Sequence, residues 1–153
     1  MTTSAERLLT IGQAATAAGV TPRTMRYYEE LGLLQPSGHS VRGARRYAER
    51  DLARIARIRE LQQLMGFNLE EIGQILSAED SLERIRGEYR SDKPTSRRRR
   101  ELLAEAIVIN DRLREQVRHK VSRIAGFLEE LDAKAVRYRH IVDEIDEGAV
   151  TPS

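Results

Sequence analysis

Arg23, Arg26 and Tyr27 are spaced so that one face of a single helical turn would carry two guanidinium groups and a phenol. A guanidinium is a permanent cation whose forked donors match phosphate oxygens or the acceptor edge of guanine, and a phenol adds a hydrogen bond to phosphate. Glu30 continues that face, whereas Met25, Tyr28 and Leu31, each offset by three, form the opposite one and are expected to pack inward. The next element brings a second basic group, His39, Arg42, Arg45 and Arg46. Together these residues suit recognition of a polyanion, with base edges and phosphates read from the helix and backbone phosphates gripped by the second group. Basic residues on one isolated helix are ordinarily just a solvated face; two consecutive basic elements weigh against that explanation.

The elements that must hold these groups are punctuated locally. Thr10 followed three residues later by Gln13 forms a capping box, so a helix is expected over Ile11–Ala18 and stopped by Gly19. Its alanines at 14, 15, 17 and 18 let a second helix cross closely. Thr21 and Pro22 are the preferred N-cap and first-turn pair, and Gly32 ends the second helix near Leu31. Two short helices joined by a short glycine-containing turn make a helix-turn-helix pattern, whose second helix leads into a major groove. From Gly32 to Arg46, Pro36, Gly38 and Gly43 signal a hairpin, or wing, closed by Tyr47. A third helix is expected from Glu49 to Met65, its stripe being Leu52, Ile55, Ile58, Leu61, Leu64 and Met65, and Gly66 stops it. Asn68 with Glu71 caps a fourth, which carries Leu69, Ile72, Ile75 and Leu76 on its inner face.

Beyond residue 76 the pattern changes. The span 77–96 is rich in charge, with Gly87 and Pro94, and reads as a linker holding one or two helical turns around Leu82, Ile85 and Tyr89. From 97 to 145 a heptad stripe follows, with Leu103, Asn110, Val117, Ile124, Leu131, Tyr138 and Ile145 recurring every seventh residue. Ala106, Leu113, Phe127 and Ile141 stand at a second position of the repeat, with Ile107, Val121, Leu128 and Val142 beside them. One helix of that extent is about 70 Å long, too long and narrow-faced to be stable unpaired, so it is expected to dimerise. Thr95 or Ser96 would cap it, leaving Arg97 to Arg100 in its first turn against the helix dipole. Residues 146–153 read as a flexible tail.

Composition narrows the function classes. The 153 residues are 40% hydrophobic and 33% charged, which suits one small domain, 1–76, plus an elongated helix. The formal charge of +2 is only mildly basic, so attraction to a polyanion must come from arginine placement. With no cysteine, thiolate metal sites and disulfide switching are excluded, and His39, His119 and His140 are isolated, so neither metal nor cofactor is expected. There is no phosphate-cradling glycine loop and no nucleophile–histidine pair, which argues against an enzyme. No stretch is apolar enough to span a membrane and the first residues lack a signal peptide's apolar run, giving a cytoplasmic expectation.

The stretches TIGQAATAAGVTPRTMRYYEELGLL, GARRY and LQQLMGFNLEEIGQIL, covering about the first half of the chain, resemble the MerR family of bacterial transcription regulators. The resemblance implies a mainly α fold: an N-terminal winged helix-turn-helix domain with a small β wing, then a long C-terminal dimerisation helix forming an antiparallel coiled coil. It implies a homodimer on a pseudo-palindromic promoter operator, distorting the spacer so that RNA polymerase engages both promoter elements. The DNA contacts it implies fall at Thr10, Thr21, Arg23, Thr24, Arg26 and Tyr27 and, in the wing, at His39, Arg42, Arg45, Arg46 and Tyr47. The dimer contacts fall at Leu103, Ile107, Asn110, Leu113, Val117, Val121, Ile124, Phe127, Leu128, Leu131 and Tyr138. Two positions depart from the family's habit: His39 stands where an arginine is usual, and Ala44 where an aromatic precedes the wing arginine. No small-molecule effector is named by these residues. The alternative reading is a coiled-coil interaction protein or an architectural DNA-bending protein without promoter activation.

Overall fold

The computed structural model describes residues 7–148 and divides into two compact units, one ending at Arg84 and one beginning at Ile85. In the first unit the local caps form as their residue types require. Thr10 accepts from the Gln13 N–H at 3.2 Å while the Gln13 side chain accepts from the Thr10 N–H at 3.0 Å, opening α1 (Ile11–Ala18). Gly19 closes it at φ 69°, a left-handed conformation that costs glycine little. Thr21 caps α2 (Pro22–Glu30), accepting from the Thr24 N–H at 3.1 Å. α2 ends where Gly32, at φ 74°, lets the Leu33 N–H reach back to the Tyr28 carbonyl at 2.9 Å.

The wing is small. β1 (Gly38–His39) and β2 (Arg45–Arg46) pair antiparallel, Gly38 opposite Arg46 and His39 opposite Arg45. At its tip the Ser40 N–H donates to the Ala44 carbonyl at 2.7 Å, and Gly43 takes φ 83°. A single antiparallel bridge between Leu9 and Tyr47 adds a third short edge, fastening the chain ahead of α1 to the base of the wing.

α3 (Glu49–Arg59) continues into a π-helical turn over Glu60–Leu64. The widened turn takes Leu64 and Met65 off the buried stripe: both are exposed, contrary to the regular helix expected as far as Met65, while Ile55, Ile58 and Leu61 stay buried. α4 (Leu69–Arg90) opens with the Asn68–Glu71 box, each side chain accepting from the other's N–H at 3.0 and 2.8 Å. α1 packs on both α2 and α3, its small Ala14 and Ala15 buried at the crossings. Met25, Tyr28, Leu34, Tyr47, Ile55, Ile58, Ile72 and Leu76 fill the core. Gly73 allows α4 to pass Leu33 closely; a Cβ there would lie 3.3 Å from Leu33 Cδ2. Arg57 forks between Glu79 of α4 and Glu60, and Arg54 donates to the Leu33 carbonyl at 2.8 Å and to Asp80 at 2.7 Å, so ionic ties join α3 to α4.

The span 77–96 is not a linker over most of its length. α4 runs unbroken to Arg90, because Leu82, Ile85 and Tyr89 keep helical spacing and Gly87 is tolerated inside a helix at a cost of about 1 kcal/mol. Only 91–95 is non-helical before Thr95, accepting from the Arg98 N–H at 3.1 Å, caps α5 (Ser96–Asp146).

In the second unit the cationic first turn of α5 is relieved chiefly by Glu88 at the end of α4. Arg98 pairs with Glu88 through two hydrogen bonds of 2.8 and 3.1 Å, holding its guanidinium pKa above the usual range. Arg97 pairs with Glu101 at 3.5 Å, and Arg99 lies 5.7 Å from the centre of the Tyr89 ring. Apart from buried Leu102, α5 carries its apolar side chains largely exposed. The tail expected from 146 begins with the last turn of α5; residues from 149 on, and the residues before 7, lie outside the described ones.

Candidate nucleic-acid interface

α2 divides as its spacing requires. Met25 is fully buried and Tyr28 nearly so, against the core, while Arg23, Arg26, Tyr27 and Glu30 point outward. Burial raises the Tyr28 hydroxyl pKa above the ordinary tyrosine range, with Arg59 pulling the other way. Leu31, expected on the inner face, is 45% exposed, because it is the C-cap residue and the chain has already begun to turn at Gly32. Arg23, Thr24, Arg26, Tyr27 and Glu30 line one open depression of about 520 Å³ on the outer side of α2. Its rim thus offers two guanidinium forks, a hydroxyl and a phenol to a single ligand.

Thr21 is spent on capping: its hydroxyl takes the Thr24 N–H and lies 3.0 Å from the Thr24 hydroxyl. Both threonines therefore sit at the N-terminal end of α2, where N–H groups and the helix dipole favour an anion. Thr10 plays the same capping part for α1 and is exposed.

In the wing, His39, Arg42 and Arg45 are exposed and Arg46 is half-buried. Tyr47 is a correction to the sequence-based site. It is 0% exposed, its backbone bridges to Leu9, and its hydroxyl donates to Glu29 Oε1, so no DNA can reach the side chain. Burial, and the Glu29 carboxylate that accepts its proton, push the Tyr47 hydroxyl pKa far above the usual value.

Glu29 was not legible as a site residue. Its second carboxylate oxygen accepts from Arg45 Nε at 2.7 Å, and the side chain is only 10% exposed. One α2 carboxylate therefore holds both the base of the wing and its guanidinium, fixing β2 against α2. A second tie works beneath: Asp51, itself 7% exposed, accepts from the Ala48 N–H at 2.8 Å and from the Ser37 hydroxyl, joining the start of α3 to the loop before β1. The signal that Glu29 faces inward is weak in the sequence, since its partners lie 16 and 18 residues away and no periodicity links them.

Along α5 the expected seam residues Leu103, Ile107, Asn110, Val117, Val121, Ile124, Phe127, Leu128, Leu131 and Tyr138 are exposed, and Leu113 is partly so. Among the described residues no group of three or more His, Asp or Glu side chains is placed to hold a metal ion, and no helix is long and apolar enough to cross a membrane.

Residues 9–79 match the model of the MerR HTH family regulatory protein. An HTH-type transcriptional regulator of Pseudomonas aeruginosa is 46% identical over 69 residues, 45% of this chain and 52% of that protein. The HTH-type transcriptional activator TipA of Streptomyces coelicolor is 46% identical over 66 residues, 43% of this chain and 26% of its own length. A mercuric resistance operon regulatory protein of Pseudomonas fluorescens is 43% identical over 72 residues, 47% of this chain and 49% of its own. The chain thus spans between a quarter and about half the length of these curated relatives. Among solved structures, HiNmlR, a MerR family regulator lacking the sensor domain and bound to promoter DNA, shares the fold with a TM-score of 0.51 at 19% identity, over 94% of this chain and all of that one.

Proposed function

We propose, from the match of residues 9–79 to the model of the MerR HTH family regulatory protein, that the chain is a member of that family and a DNA-binding transcriptional regulator acting as a homodimer on a pseudo-palindromic promoter operator. The observation that carries the reading is the outer side of α2, where Arg23, Arg26 and Tyr27 surround one open depression beside the capped N-terminal end of the helix. In the major groove Arg26 or Arg23 serves as a bidentate donor to guanine, and Tyr27 and Thr24 serve as phosphate donors. Arg42, Arg45 and Arg46 of the wing grip the neighbouring backbone, and the Glu29 tie keeps that grip in register with α2. α5 supplies the dimer contact, and two half-sites held at a fixed spacing let the dimer bend and untwist the promoter spacer for RNA polymerase. The DNA complex of HiNmlR supports this use of the fold.

The test is a salt-titrated binding assay with a footprint on the DNA upstream of the protein's own gene. A two-fold symmetric footprint with affinity falling steeply as salt rises is the expected result. Weak binding independent of sequence would favour the architectural reading instead.

A further inference from the structure

The stripe left exposed on α5 repeats at steps of three and four residues from Ile107 to Ile145, and the residues just after each three-step form one flanking column. That column reads Asp111, Arg118, Ala125, Asp132, Arg139 and Asp146. From Asp111 to Arg139 its charges run minus, plus, none, minus, plus. Reversed in direction and inverted in sign, the series is unchanged, so the column is its own electrostatic complement only in an antiparallel copy.

Within the antiparallel pair that the family resemblance implies for α5, we infer that the two-fold axis lies at Gly126, which sets Arg118 against Asp132 and Asp111 against Arg139 on each side of the axis. This rests on the homodimer reading above and specifies its register. Ala125 then meets Ala125 at the centre, and the seam layers are Ile124 with Leu128 and Val121 with Leu131. On the other flank Phe127 meets its own copy and Leu113 meets Ile141. Lys120 faces Lys134 there, a like-charge pair that long flexible stems and the neighbouring Glu130 accommodate.

Competing arrangements fare worse. Moving to the adjacent seam register in one direction sets Asp111 against Asp132; in the other it sets Arg118 against Arg139 and Asp111 against Asp146. A parallel pair brings Lys134 beside Arg139, forms no opposite pair across its flanks, and faces Arg114 with its own copy in the seam. The antiparallel pair gives Arg114 the Tyr138 ring instead, a cation–π contact. Asp111 and Arg118 have only exposed partners within their own helix, Arg114 at 3.1 Å and Glu115 at 2.9 Å, which release them at little cost. Asp132 and Arg139 have no ion pair among the described residues.

The chain has no cysteine, so single cysteines introduced into the full-length protein carry a spin label at one place per copy. With Ser122→Cys and His140→Cys on the outer side of the helix, the register above separates the two labels along the axis by about 12 Å and about 42 Å, at ~1.5 Å per residue. Equal short distances at both sites would mean a parallel pair, and a change of the two distances in opposite senses, one longer and the other shorter than these, would mean a shifted one; either overturns the inference. Arg118→Asp and Asp132→Arg are each expected to weaken the dimer about tenfold, and the double variant to return within about threefold of the parent. The shifted register that sets Asp111 against Asp132 is strengthened by Asp132→Arg alone, since Asp111 then gains a partner, and that result also overturns the inference. A protein that sediments as a monomer overturns the homodimer reading itself, whereas a dimer with the wrong distances overturns only the register.

Discussion

The unit ending at Arg84 and the helix α5 are written in the same helical periodicity, yet they use it oppositely. In the first, the stripes of α1 to α4 are consumed within the chain: Met25, Ile55, Ile58, Ile72 and Leu76 are essentially inaccessible to water. In α5, side chains of the same kinds at the same spacing stay open, Ile124 at 56% and Phe127 at 60% exposure. Apolar periodicity therefore says that a face must be covered, and it is the tertiary surroundings that say by what. The first unit folds against itself because turns at Gly19, Gly32 and Gly66 return the chain on each helix. A 51-residue helix has no such turn, which leaves its stripe for the second copy proposed above.

That contrast breaks most sharply at Leu131. Leu131→Asp places a carboxylate in the proposed seam of both copies, at roughly 3 kcal/mol or more each for an unpaired buried charge. The dimer is expected to dissociate by sedimentation while the spectroscopic signature of the winged unit persists. The matching change in the first unit, Ile55→Ala, is expected to cost about 2–5 kcal/mol of folding stability through the cavity it leaves. Urea melts check this, and the loss should appear in the winged unit's transition and not in the dimer dissociation constant measured below that transition. Arg26→Ala is smaller and touches neither kind of packing. It should lower specific operator affinity by about 1–3 kcal/mol with fold and dimer intact, and a gel-shift titration against the parent reads it.

The smallest effect concerns Tyr47. Its folded-state pKa is raised, so the neutral hydroxyl is the form the fold prefers. The stability this contributes is fully present below the ordinary tyrosine value near 10 and is lost as pH rises through that value toward the folded one. Thermal melts from pH 8 to 11 should show a fall that is smaller in Tyr47→Phe, which keeps the contribution of buried Tyr28. Tyr47→Phe at neutral pH should cost about 1–2 kcal/mol, because nearly buried Glu29 loses one of its two donors.

What the residues disclosed in advance follows distance along the chain. Capping pairs such as Thr10–Gln13, Thr21–Pro22 and Asn68–Glu71 were legible because donor and acceptor lie within one turn. The division of α2 into Tyr28 inside and Arg23, Arg26 and Tyr27 outside was legible for the same reason. Glu29 was not, since its worth comes from Tyr47 and Arg45, brought to it only by the wing folding back. Tyr47 was misread as a contact because its place next to two arginines is visible in sequence and its burial is not. The continuation of α4 through 77–90 was hidden by charge and by Gly87, which resemble loop composition while keeping helical spacing. The π-helical turn at Glu60–Leu64 has no signature in residue type, so the loss of Leu64 and Met65 from the stripe could be found only in three dimensions.

On the proposed reading, the carboxylate of Glu29 also shapes how the protein would meet DNA in bulk. A guanidinium already matched to a carboxylate displaces fewer counterions from a phosphate than a bare one, so Arg45 would add less to indiscriminate adhesion along a duplex than an unpaired arginine. On that reading each copy would approach random sequence with less positive charge than its arginine content suggests. In genomic DNA, where nearly every site is a wrong one, a weaker hold on phosphate would leave discrimination to the bases that α2 is proposed to read. An acid placed to hold a base in check would thus temper adhesion and leave the reading to the helix.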